Sequence, residues 1–255
     1  MKRILTALAL IPAVVWVVLF ANPWIFLAVL TAVSFLCWHE YNEIAGAYGF
    51  GKPGIVGYGI GLALLIWWDI YWLAAVALAM VILIMVMREK DLAHALPRAA
   101  LLLLGVIYVF GCWKCARPLR ETYSPHWLMY GLLLSWVGDI GAYYIGRPFG
   151  RHKLAPRVSP KKSWEGSAAS VVTAVLVGWL YLQRFIPWVP AAHALALSAA
   201  VNIAGQFGDL AESAMKRGAN VKDSGTILPG HGGFLDRVDS TLFALPVVYG
   251  YLLLV

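Results

Sequence analysis

Long apolar runs recur along the whole chain, separated by short polar segments. The pattern predicts nine helical spans, at about 4–20, 24–38, 54–69, 71–87, 98–116, 127–146, 166–182, 191–214 and 240–255. A helix needs roughly 17 to 25 apolar residues to cross a hydrocarbon core of about 30 Å, and several of these runs are short for that task. Stretches such as LTALALIPAVVWVVLF lack the two-residue alternation of a membrane barrel strand, so a β-barrel is set aside. The expected fold is all-α, a polytopic integral membrane protein with one transmembrane domain over residues 1–255.

Composition strengthens that reading. The chain is 61% hydrophobic and 13% charged, with a mean hydropathy of +0.74, whereas a soluble domain is about 25% charged. MKR followed by apolar residues 4–20 has the outline of a secretory signal. ANPW and a further apolar segment follow instead of a small-residue cleavage site, so this is read as the first retained span. Sixteen of the twenty Lys and Arg residues fall on one side of the nine-span topology and four (Lys114, Arg117, Arg120, Arg184) on the other. The positive-inside rule then puts the N-terminus in the cytoplasm, the C-terminus outside, and both polar loops, 147–165 and 215–239, on the cytoplasmic face. The net charge of +7 does not call for nucleic acid, because the basic residues flank spans and suit anionic headgroups and phosphates better. CWKC at 112–115 has the spacing of a redox pair but no βαβ context, and its cysteines are read as ordinary helix residues.

Charge then concentrates where the hydropathy breaks. Five of the thirteen acids, Asp209, Glu212, Asp223, Asp236 and Asp239, stand within 209–239 beside Lys216, Arg217, Lys222, Arg237 and His231. Asp209, Ser213 and Lys216 share one helix face at 3.6 residues per turn. An acid inside a membrane helix is costly unless it pairs or binds a cation, so Asp209 marks a candidate site, with an ion pair to Lys216 or Arg217 as the plainer alternative. In HGGFLDRVD, Gly232 and Gly233 allow close approach of a ligand to the backbone. If a helix begins near Asp236, that residue and Asp239 share a face and suit a hard divalent cation. Capping the N-terminus of that helix is the alternative for either one, and more so for Asp239.

The second polar loop, RPFGRHKLAPRVSPKKSWEGS (147–167), carries six cations, two glycines and three prolines. Lys161 and Lys162 precede a helix starting near Ser163, where free N–H groups and the helix dipole favour an anion; an ordinary basic cluster beside a membrane is the alternative. Asp139 shares a helix face with Tyr143 and Arg147 and is directed either to the same polar site or to a neutralising cation on another helix.

Written as S-x-x-K-R-x4-K-D-x-G-x2-L-P-x-H-G-G-F-x-D-R-x-D, residues Ser213 to Asp239 resemble the signature of the phosphatidate cytidylyltransferases, without a gap. The segment Ser159 to Gly166, S-P-K-K-S-x-E-G, is similar to a second element of that family in which Thr is expected where this chain has Ser163; both hydroxyls donate and accept. With the Asp139 segment, the resemblance covers roughly 135–240, which makes 127–255 the catalytic spans and loops and 1–126 mainly scaffold.

The resemblance implies transfer of a cytidylyl group from CTP to phosphatidate, with CDP-diacylglycerol and pyrophosphate as products and Mg²⁺ as cofactor, a second cation being left open. On that basis Asp209 and Asp236 hold the metal, with Asp239 or Asp223 contributing directly or through water. Lys161, Lys162, Lys216 and Arg217 clamp phosphates, with Lys216, Arg217 and His231 counted beside Asp209 and Asp236 as catalytic; Ser159, Lys222, Asp223, Gly232, Gly233 and Arg237 line the substrates, Arg237 serving either to orient the aspartates or to contact a phosphate. The partners expected are CTP, phosphatidate and membrane lipids; a homodimer is left open, and a bacterial inner membrane is the expected location. The D-G-x2-A-R…G-x3-D-x3-D pattern of CDP-alcohol phosphotransferases and the D-D-x-x-D acids of prenyltransferases are absent. An ion transporter could use Asp139 and Asp209 but has no call for the two polar loops.

Overall fold

The computed structural model describes residues 2–66, 80–82, 84, 91–227 and 232–255. These form two compact units, one from Met1–Phe26, Cys115–Ala214 and Arg237–Val255, the other from Leu27–Lys114 and Met215–Asp236. Both are helical. Among the described residues, five helices are long and apolar enough to cross a membrane: Pro23–Phe50, Leu92–Tyr123, Pro125–Phe149, Trp164–Phe185 and Ala191–Gly218. They contain the spans expected at 24–38, 98–116, 127–146, 166–182 and 191–214. Shorter apolar helices at Leu10–Leu19, Val56–Ile66 and Asp239–Leu254 coincide with those expected at 4–20, 54–69 and 240–255. The span expected at 71–87 lies largely outside the described residues.

In the first unit, helix α1 (Lys2–Leu19) is followed by an end that Arg120 closes. Its guanidinium is buried, donates to the carbonyls of Val18 (2.7 Å) and Ala21, and lies 4.6 Å over the Phe26 ring. Helix α5 (Pro125–Phe149) starts with Ser124 as N-cap and Pro125 in its first turn, a position where the missing N–H costs nothing. It packs along α6 (Trp164–Phe185), and a Cβ on Gly146 would lie 3.1 Å from the Gly166 backbone, so these two glycines set how closely the helices approach. Helices α7 (Ala191–Gly218) and α8 (Asp239–Leu254) complete the unit. Polar side chains between helices satisfy one another, as a bilayer demands. Tyr130 bonds Ser198 at 2.8 Å, and Ser170 bonds Asn202.

The 147–165 segment departs from the expected irregular loop. It forms a two-stranded antiparallel hairpin, β1 (Lys153–Ala155) and β2 (Ser159–Ser163), paired Lys153 to Ser163 and Ala155 to Ser159. Glu165 anchors it to α6 by accepting the Arg151 and His152 N–H groups at 3.1 and 3.2 Å and meeting the His152 Nδ1 at 2.7 Å.

The second unit is built on α2 (Pro23–Ala45), which continues as a wide turn through Gly46–Phe50, with α3 (Val56–Ile66) and α4 (Ala95–Gly105). Trp38 stacks on Tyr41 and tilts against Phe110, with ring centroids 5.6 and 5.5 Å apart. A Cβ on Gly57 would lie 1.8 Å from the Trp38 ring, so only glycine lets α3 reach this cluster. Helix α2 runs past the apolar stretch that ends at Trp38 and carries Glu40 into the interior.

Candidate active site

The hairpin and the facing helices of the first unit enclose a cavity of about 710 Å³. Lys161 and Lys162 reach it from β2, Lys153 from β1, Asp139, Tyr143 and Arg147 from α5, and Asp209 and Gln206 from α7. The placement follows from local structure. Ser163 ends β2 and caps α6, its Oγ accepting the Gly166 N–H at 3.2 Å, so the two lysines stand at the positive end of that helix.

Charges of both signs meet there. Lys162 Nζ lies 2.5 Å from Asp209 Oδ2, while Ser213 donates to Asp209 Oδ1 at 3.3 Å. Asp209 thus has its ion-pair partner, Lys162, on another element and a hydroxyl donor, Ser213, on its own helix. Asp139 lies within electrostatic reach of Asp209, Lys162 and Arg237, and Asp239 within reach of Asp209, Glu212 and Asp139. Arg147 donates to the Tyr143 hydroxyl at 2.7 Å. The interior end is a ladder of amides and hydroxyls: Ser167 donates to Gln206 at 2.5 Å, and Gln206 to Asn202 at 2.8 Å.

The second unit holds the other half of the expected residues. Asp236 Oδ1 takes the Lys216 ammonium, and Oδ2 accepts the N–H groups of Ser224 (3.0 Å) and Gly233 (2.8 Å). Burial pushes the Asp236 carboxyl up, but the ammonium and the two N–H groups more than offset this and hold it below the usual carboxylate value. Gly232 has φ of 78°, a conformation that glycine adopts without strain. Arg217 donates to the Val221 carbonyl at 2.9 Å, and Lys222 and Asp223 are exposed. His231 lies outside the described residues.

Two geometric expectations are corrected. Asp236 and Asp239 do not stand in one continuous helix: Leu235–Arg237 is a short 3-10 turn and α8 starts at Asp239, with Asp236 folded back onto the Ser224 and Gly233 N–H groups. Asp239 instead accepts the Ser240 N–H at 2.6 Å in the first turn of α8. On the side where a Cβ would stand, Gly233 is filled in by the protein itself, 1.9 Å from Ser224 Oγ and 2.5 Å from Glu40 Oε2. Ser159 lies on β2 outside the cavity lining.

Arg147 and Lys153 at the cavity, and Glu40 in the second unit, were not singled out as site residues from the sequence. Arg147 carried a signal in its spacing from Asp139; Lys153 and Glu40 carried none beyond being charged in an apolar chain. Among the described residues, no group of three or more His, Cys, Asp or Glu side chains is arranged to hold a metal. The donor chemistry still fits Mg²⁺, which takes oxygen ligands and is commonly held by one or two carboxylates together with water and substrate phosphates. Asp139 and Asp209, which both line the cavity, are two carboxylates of that kind.

Known proteins carry the same sequence pattern. The phosphatidate cytidylyltransferase of Bacillus subtilis is 40% identical over 149 residues, covering 57% of this chain and 55% of the relative. That of Staphylococcus saprophyticus is 38% identical over 161 residues, covering 62% and 58%. That of Haemophilus influenzae is 42% identical over 123 residues, covering 47% and 43%. The chain thus spans about half the length of the curated relatives it matches. The pattern of the cytidylyltransferase family, by contrast, extends over residues 1–255. With that match over its full length, the chain belongs to the cytidylyltransferase family.

Proposed function

We propose that this chain transfers the cytidylyl group of CTP to phosphatidate, giving CDP-diacylglycerol and pyrophosphate. The observation that carries the reading is the first unit's cavity, where Lys153, Lys161, Lys162 and Arg147 surround the Asp139 and Asp209 carboxylates. A phosphate monoester is largely dianionic at neutral pH, its second pKa being about 6, so the lipid phosphate needs no general base. One of its oxygens bonds to the α-phosphorus as the bond to the β-phosphate oxygen breaks, and pyrophosphate leaves with that electron pair. The obstacle is the approach of one polyanion to another, which converging cations relieve. When bound, Mg²⁺ would supply charge neutralisation at the phosphate oxygens, held by Asp209 with Asp139 or Asp239 beside it; Asp236, the other ligand expected from the resemblance, is engaged by Lys216 and two N–H groups. Lys161 and Lys162 hold phosphate oxygens, and Arg147, steadied by Tyr143, presents a planar fork suited to the same anions.

Asp236, Lys216, Arg217 and His231 join this proposal through the signature stretch in which they stand. A bacterial inner membrane, with the hairpin and the 213–239 stretch facing the cytoplasm, is supported by the distribution of Lys and Arg and by the bacterial relatives.

Purified protein given phosphatidate, Mg²⁺ and CTP labelled with ³²P at either the α or the γ position tests the reaction. The α label should enter the lipid phase and the γ label should stay in water as pyrophosphate. In Asp209→Asn, lipid labelling should fall at least about a hundredfold. Lipid labelled from neither position, or from the γ position, would overturn the reading.

A further inference from the structure

Glu40 is the most deeply buried acid on helix α2, 1% exposed, and no Asp, Glu, Lys or Arg stands between Arg3 and it. Three donors from the signature stretch converge on its carboxylate. The Ser224 hydroxyl donates to Oε2 at 2.7 Å, the Phe234 N–H to Oε1 at 2.8 Å, and the Leu235 N–H to Oε2 at 2.7 Å. Only a carboxylate accepts at both of its atoms; a Gln amide would turn a donor against one of these donors. The glycines follow the same demand. A Cβ on Gly225 would lie 2.7 Å from Glu40 Oε1, and one on Gly233 would lie 2.5 Å from Oε2.

Glu40 and Asp236 grip the same turn from two sides. Ser224 links them: its hydroxyl donates to Glu40 and accepts the Asp236 N–H at 3.3 Å, while its own N–H goes to Asp236 Oδ2. The N–H groups of residues 224, 233, 234 and 235 therefore all end on these two carboxylates. Burying an acid in a membrane helix costs free energy that a neutral residue avoids, so its retention needs a task that only an acceptor pair performs.

We propose that Glu40 is a positioning residue for the reaction: it clamps Ser224, Phe234 and Leu235 so that the following residue, Asp236, is held in one orientation toward its Lys216 partner. The catalytic half of this inference rests on the function proposed above; the clamp itself does not.

The test measures amide hydrogen exchange over 222–238 together with steady-state kinetics in the wild type, Glu40→Gln, Glu40→Asp and Ser224→Ala. In Glu40→Gln, exchange at Phe234 and Leu235 should rise at least about tenfold, while α5 and α6 stay within about threefold. Its kcat should fall at least about tenfold with KM for CTP within about threefold, the signature of misplaced groups rather than lost binding. Glu40→Asp, which keeps both acceptors, should recover part of both effects. Faster exchange with unchanged kcat would overturn the positioning role, as would lost kcat with unchanged exchange. If Glu40→Gln does not fold, Ser224→Ala removes one clamp donor and carries the same comparison. If the wild type transfers no cytidylyl group, the proposed function fails by itself, and the exchange data still decide whether the clamp exists.

Discussion

Asp209 and Asp236 hold their lysines in different surroundings. The Lys162 and Asp209 side chains are 28% and 26% exposed, so water and salt screen the pair and it contributes little to stability. Such a pair opens readily for a phosphate. Lys216 and Asp236 are 9% and 11% exposed and share their turn with two N–H donors, so removing either partner strands a charge. Because the folded Asp236 carboxyl titrates below its ordinary value of 3.8, its stabilisation is fully present above that value and is lost as pH falls through the lower folded value. The difference in Tm between wild type and Asp236→Asn should therefore stay constant from about pH 7 to pH 5 and close only below about pH 4. A difference that shrank steadily from pH 7 would contradict the depressed titration.

At the scale of elements, Ser163 joins the hairpin to α6. The Thr expected at this position from the family resemblance bears only on the hydroxyl, and the hydroxyl is what caps Gly166. Ser163→Ala should cost about 1 kcal/mol and lower Tm by about 2–4 °C, whereas Ser163→Thr should leave Tm unchanged; equal losses in both would remove the cap from the account. The long helices were legible because apolar runs of membrane length allow few alternatives. The hairpin was not, because KLA and SPKKS show no alternation of apolar and polar residues; the strands are held by their backbone ladder and by Glu165, whose partners lie thirteen and fourteen residues away. The span expected at 24–38 ends at Trp38, whereas helix α2 runs on to Ala45 and carries Glu40. Its donors come from residues 224 to 235, a separation that no local pattern reveals.

Across the whole molecule, the chemistry was more legible than its geometry. The lysines of the hairpin and Asp209 announced themselves as charges in an apolar chain, and the structure brings Lys161, Lys162 and Asp209 to one cavity. Lys153 was hidden among the cations of its own loop; only the strand pairing carries it to the cavity while leaving Arg151 and Arg157 outside the lining. That difference allows the central claim, that this cavity is where phosphates are held during transfer, to be tested within one loop. The measurement is kcat/KM for CTP in Lys161→Gln with Lys162→Gln, compared with Arg151→Gln with Arg157→Gln, which removes the same charge from the same segment. The account predicts a loss of at least about a hundredfold in the lysine pair and no more than about threefold in the arginine pair. Equal losses in the two, both reproduced in the wild type by added salt, would contradict it and leave the hairpin a general basic surface.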